Sequence, residues 1–151
     1  MNETEFDTAV NQYSKKFKLK ENWNFQLNEN LPAVKMNYSD PNGVVALTDP
    51  ASKNVWFKHD ILLQPRYMVR AYIRHELRHC KQIECLIDKL RQKYGDKFDV
   101  YFSTIVSIDM SRGYYNSLME KDAWMAFFGV CRNIDKVVKK IIEENIGFLS
   151  E

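Results

Sequence analysis

Two histidines and a glutamate are bunched in Ala71-Tyr72-Ile73-Arg74-His75-Glu76-Leu77-Arg78-His79-Cys80-Lys81-Gln82, and His75-Glu76-Leu77-Arg78-His79 forms an H-E-x-x-H sequence. The spacing has chemical meaning on a helix. At about 100° per residue, His79 lies roughly 40° round the axis from His75, and Glu76 about 100°, so all three share one sector. Two neutral imidazoles aimed at one point suit Zn²⁺, an ion that lowers the pKa of a bound water to about 7. A carboxylate just outside the ligand set can take that water's proton. The chemistry is metal-assisted hydrolysis, with His75 and His79 as ligands and Glu76 as general base. Such a short pattern also arises by chance, and the two histidines would then be core or interfacial side chains meeting internal acceptors.

A catalytic zinc site has three protein ligands and one open position. The one other histidine, His59, precedes the motif, and none follows it, so the third ligand is expected to be a carboxylate. Glu84 and Asp88 project more than about 100° away from His75 on the same helix and are excluded. Glu120 is the best placed of the downstream acids: Ala123 and Trp124 share its helical face and Phe127 continues it, and a carboxylate on an apolar face needs a partner to offset its burial. Asp122 is the second choice and Asp109 the third, and a surface salt bridge is the bland role for Glu120. Hydrolysis also needs a donor for the developing oxyanion. Tyr114 and Tyr115, just before the Glu120 segment, lead here, with Tyr101, Arg112 and His59 behind them. Both tyrosines serve equally well as packing aromatics.

The stretch His75-Glu76-Leu77-Arg78-His79-Cys80-Lys81-Gln82, followed by Gly113-Tyr114-Tyr115-Asn116-Ser117-Leu118-Met119-Glu120-Lys121-Asp122-Ala123, resembles the H-E-L-x-H-x-x-Q and Y-x-N-x-x-x-E-x-x-A pattern of small gluzincin-type zinc metallopeptidase domains, short proteins of bacteria and phages. The resemblance spans residues 43–128, closely at the two motifs and loosely elsewhere. It implies a minimal zincin-like α+β fold: an N-terminal helix, a small mainly antiparallel sheet, the H-E-x-x-H helix, then C-terminal helices. It also implies His75, His79 and Glu120 as zinc ligands, Glu76 as general base, and a protein or peptide as substrate. Nothing in the chain corresponds to the large lobes that complete the cleft in bigger gluzincins, which leaves a shallow groove or one completed by a partner.

The elements that must position these residues follow from periodicity. Phe6, Val10, Tyr13 and Phe17 keep a helical step and predict an amphipathic helix over residues 4–19. Alternation predicts strands at Trp23–Leu27 and Ala33–Tyr38, and further strands at Val44–Leu47 and Asn54–Lys58, in hairpin succession as an antiparallel meander. Either Val44–Leu47 or Asn54–Phe57 is expected at the edge, where an extended substrate could add as a strand. The motif helix is predicted from Pro65 to Tyr94, stopped by Gly95. Residues 98–109 suit either helix or strand; helices are predicted over Tyr115–Gly129 and Arg132–Asn145.

The 151 residues, 45% hydrophobic and 28% charged, suffice for one domain spanning residues 1–151 with its own core. An acidic, polar start and the lack of any membrane-length apolar run predict a soluble, cytoplasmic protein. Cys80, Cys85 and Cys131 form no C-x-x-C pair and leave one over from any disulfide, so reduced and mostly buried thiols are expected. Ten basic residues face five acidic ones between Lys58 and Lys97, and Arg66, Arg70, Arg74 and Arg78 recur every fourth residue. A solvated face is the expectation for that stripe. The alternative function is a zincin-fold binding module, possible in a phage or mobile-element factor, that uses the stripe to hold an acidic protein or nucleic acid; without interleaved aromatics a nucleic acid is disfavoured. No sequence feature sets the oligomeric state.

Overall fold

The computed structural model describes residues 1–32 and 45–147. The strand expected at Ala33–Tyr38, the turn after it, and Val44 lie outside the described residues. The architecture is α+β. Helix α1 (Glu3–Lys16) is followed by strands β1 (Asn24–Asn28), β2 (Ala46–Asp49) and β3 (Asn54–Lys58), a 3-10 turn at His59–Leu63, then helices α2 (Arg66–Tyr94), α3 (Phe98–Ser111), α4 (Leu118–Phe127) and α5 (Ile134–Ile146). Among the described residues, no helix is long and apolar enough to cross a membrane.

Helix α2 is the axis of the molecule. It starts where the sequence predicts, because Pro65 lacks an N–H and Gln64 before it is extended (ψ 158°). It stops at Gly95, whose φ of 58° few side chains would accept. Along its 29 residues two apolar clusters divide the work. Val69, Ile73, Leu77 and Cys80, on its N-terminal half, pack with Phe6, Val10, Val55, Phe57 and Ile61 beneath α1 and the sheet. Ile83, Leu86 and Leu90, farther along, pack with Phe102, Ile105, Val138 and Ile141 of α3 and α5. The motif falls at the junction, where helix position is constrained from both sides.

The sheet differs from the expected antiparallel meander. Its order is β1-β3-β2: β2 and β3 pair antiparallel as a hairpin, but β1 runs parallel to β3, from Asn24 opposite Asn54 to Asn28 opposite Lys58. A parallel pair needs a crossover rather than a tight turn, and the chain between β1 and β3, β2 included, supplies it. Asn54–Phe57 is therefore central, and β2 is an edge strand among the described residues. In the hairpin, Asp49 accepts from Ala51 N (3.1 Å) and Ser52 Oγ (2.6 Å), and Lys53 takes the left-handed conformation.

Helix α4 begins at Leu118 rather than near Tyr115. Asp109, at the end of α3, accepts from Ser117 Oγ (2.5 Å) and from the backbone N–H groups of Leu118 (2.9 Å) and Met119 (3.2 Å), while Ser117 Oγ accepts from Glu120 N (3.2 Å). Two side chains thus satisfy three N–H groups of the first turn, which would otherwise be orphaned. Tyr114 and Tyr115 sit before the helix, in the turn after Gly113. Residues 98–109, open between strand and helix in sequence, are helical.

Candidate metal centre

His75 and His79 project from the middle of α2, and Glu120 from the first turn of α4. All three are buried, and their donor atoms lie within 4.8 Å of one another. His79 Nε2 is 2.5 Å from Glu120 Oε1, and His75 Nε2 is 3.5 Å from Glu120 Oε2. The two imidazoles stand edge to face, with centroids 4.9 Å apart. Tetrahedral coordination at bond lengths near 2 Å places ligand atoms about 3.3 Å apart, a value these separations bracket. Glu120 Oε2 is buried with no hydrogen-bond partner among the described residues, an expensive state for a carboxylate oxygen unless a cation is at hand. Two imidazole nitrogens and one carboxylate are a donor set that fits a divalent metal ion.

The electrostatics carry the same message. Burial disfavours the imidazolium at His79, but Glu120 beside it, helped by Glu76 and Gln82, raises its pKa to about 9. Burial likewise opposes the charge on Glu120, yet His79 and His75 reverse that and hold the carboxyl well below the usual carboxylate range. Without metal, His79 is thus held protonated against an ionised Glu120 at neutral pH.

Glu76 points to the sheet side of this cluster. Its Oε2 accepts from Thr48 Oγ1 on β2 (2.6 Å), and its Oε1 is 3.9 Å from His75 Nε2. The carboxylate is thus anchored at the edge strand and lies beside the ligands without joining them. Thr48 carries no sequence signal, being 28 residues from Glu76 in an ordinary strand.

Comparison of the chain with family models, curated proteins and solved structures finds no match.

The remaining expected site residues divide clearly. Asp122, second choice as ligand, is fully buried but accepts from Arg78 Nε (2.6 Å) and Nη2 (3.1 Å), Gln82 Nε2 (2.7 Å) and Arg132 Nη2 (3.4 Å). Asp109 caps α4. Glu84, excluded by its direction, clamps the chain ahead of β1 through Lys20 N, Glu21 N and Trp23 Nε1. Tyr114 is one ring removed from the ligands: Trp124 packs on His75 (4.5 Å between centroids) and its indole N–H donates to the Tyr114 hydroxyl oxygen (3.0 Å). Tyr115 packs edge to face on Tyr114 and is 65% exposed. His59 pairs with Glu3, Tyr101 stacks on Tyr94, and Arg112 bonds Asn145 and the Glu144 carbonyl, so these three are engaged elsewhere.

The solvated arginine stripe holds at Arg66 and Arg70 and is corrected at Arg74 and Arg78. Arg78 is buried against Asp122, and Arg74 donates to the carbonyls of Ala126 (3.1 Å) and Phe127 (2.7 Å) and to the Tyr13 hydroxyl (3.2 Å). Arg66, paired with Glu5 at the surface, and Arg70 are both exposed. Arginines spaced four apart drift round the helix, and here the drift carries two of them into the contact with α4, where helix-end carbonyls and a buried carboxylate need donors. The thiols are corrected in part: all three are free, but only Cys80 is buried, with burial pushing its pKa well up, while Cys131 is exposed.

Proposed function

We propose that this protein is a zinc-dependent metallopeptidase of the small gluzincin type, with His75, His79 and Glu120 as metal ligands and Glu76 as general base. The observation that carries the reading is the convergence of three buried donors from two helices, one carboxylate oxygen among them without a hydrogen-bond partner among the described residues, beside a second acid fixed at their edge. When bound, the ion supplies Lewis-acid polarisation of a carbonyl and acidifies water. Glu76 takes the proton of the attacking water and passes it to the leaving amine, and Thr48 holds the carboxylate in place for both transfers. Strand β2, which carries Thr48 and is an edge among the described residues, would give an extended peptide a strand to pair with directly beside that acid. Tyr114, tied through Trp124 to His75, is the nearer oxyanion donor of the two tyrosines, and Tyr115 would have to swing in from solvent. The alternative of a binding module loses its main support, since Arg74 and Arg78 are consumed inside the fold.

Glu76→Gln tests the reading. The amide is nearly isosteric and can still accept from Thr48, so the fold and the metal content should persist. Loss of proton transfer should slow turnover by about 10²–10⁴-fold. The measurement is cleavage of a diverse peptide pool by zinc-loaded protein, followed by mass spectrometry. Cleavage by the variant at the wild-type rate, with the same fragments, would show that Glu76 is not the base and overturn this mechanism.

A further inference from the structure

Gln82 lies one turn beyond His79 on α2 and is completely buried. Its amide nitrogen donates to the Met119 carbonyl oxygen (3.0 Å) and to Asp122 Oδ2 (2.7 Å). The first of these is only an acceptor, and the second belongs to a carboxylate flanked by the guanidinium groups of Arg78 and Arg132. A flipped amide would set oxygen against oxygen at both places, so its orientation is determined. Its Oε1 is then 2.9 Å from His79 Nδ1 and can only accept. A hydrogen must therefore be on Nδ1, and in the neutral ring the lone pair is on Nε2, the nitrogen facing Glu120. His75 has no such restraint: its Nδ1 lacks a partner among the described residues, and Trp124 packs against its ring.

We propose that Gln82 is a positioning residue for the metal: its amide, oriented across the α2–α4 contact by Asp122 and the Met119 carbonyl, holds His79 as the Nδ1–H tautomer and presents the Nε2 lone pair to a divalent cation. The proposal rests on the metal reading of the site and adds an asymmetry to it. His79 is the preorganised ligand and His75 the adaptable one. Partners of this kind fix ring orientation as well as tautomer, and their loss typically weakens metal affinity by about 10–100-fold.

The experiment uses zinc alone as the probe. Zinc affinity is measured by competition with a chromophoric chelator for wild type, Gln82→Met and Gln82→Glu, and imidazole nitrogen shifts are read by long-range ¹⁵N–¹H correlation on the zinc-loaded proteins. Wild type should show a protonated Nδ1 and a metal-shifted Nε2 at His79. Gln82→Met, similar in size but unable to accept, should lose affinity by about 10–100-fold, with the Nδ1 proton no longer protected from exchange. Gln82→Glu keeps an acceptor for Nδ1 but sets its second oxygen against Asp122 and the Met119 carbonyl, as a flipped amide would, so it should retain the Nδ1–H signature at His79 while losing thermal stability. If Gln82→Met binds zinc as tightly as wild type with the same His79 pattern, Gln82 merely packs and the proposal fails while the metal site stands. A wild-type spectrum with the metal on Nδ1 of His79 overturns the proposal whether or not either variant folds. Should wild type take no zinc at all, the metal reading itself is wrong and this inference falls with it.

Discussion

Within two turns of α2, neighbouring residues have opposite duties. His75 and His79 turn toward α4, Glu76 turns toward β2, and Leu77 is fully buried in the apolar cluster under the sheet. The division follows from the helical angle, which sends residue 76 about 100° from residue 75. The same reasoning separates the two acids of α4, since Glu120 meets the histidines and Asp122, two residues on, meets Arg78 and Gln82. Glu120→Gln should therefore abolish stoichiometric zinc by removing the anionic ligand at constant volume. Asp122→Asn should keep a measurable zinc site, because it leaves all three donors in place. Elemental analysis of the two purified variants checks this, and zinc retained by the first but lost by the second would exchange their assignments.

At the scale of elements, the candidate metal centre exists only if α4 keeps its register against α2, and two interactions, one buried and one half-buried, hold that register. Arg78 reaches Asp122 on α4, and Arg74 ties the last carbonyls of the same helix. Removing one partner of a buried ion pair leaves the other charge stranded, at a cost of about 3–5 kcal/mol. Arg78→Gln is accordingly expected to destabilise the protein by about that amount in urea unfolding, whereas Arg70→Gln, at an exposed position, should stay within about 0.5 kcal/mol. Equal effects at the two positions would mean that the stripe is a solvated face after all. The arginine spacing was plain in the sequence, but which arginines turn inward was not. Helical drift allots each residue a direction and says nothing about which neighbour waits there.

For the molecule as a whole, the coupled pair at the site makes stability depend on pH and on metal in opposite senses. A histidine whose folded pKa is raised stabilises the metal-free protein fully below its unfolded value of 6.5, and that contribution is lost as pH rises towards about 9. Glu120, held below its usual range, stabilises above 4.5 and loses its effect as pH falls. The metal-free protein should thus lose thermal stability between pH 6.5 and about 9. Zinc, which must displace the His79 proton, should give a rise in Tm that grows over the same interval. Calorimetric titration near pH 7 in buffers of different ionisation enthalpy should show release of about one proton per ion bound. A Tm of the metal-free protein that is flat from pH 6 to 9 would show that Glu120 does not hold His79 protonated.

The sequence alone determined the helical carriage of the motif and its limits at Pro65 and Gly95, because these rest on local rules: proline's missing N–H, glycine's positive φ, and the 3.6-residue repeat; it also put first among the downstream acids Glu120, the one that the fold brings to His75 and His79. It also placed three of the strands to within a few residues. Tertiary structure decided the parallel pairing of β1 with β3, since alternation marks a strand without naming its neighbour. It decided that Asp109 caps α4, that Asp122 answers Arg78 and Gln82, and that Thr48 holds Glu76, since each pairing joins groups brought together by packing. Gln82 lies between the two cases. Its three-residue spacing from His79 was legible on a helix, but the direction of its amide depends on a carboxylate and a carbonyl 40 and 37 residues away, and that direction sets which nitrogen of His79 carries the hydrogen.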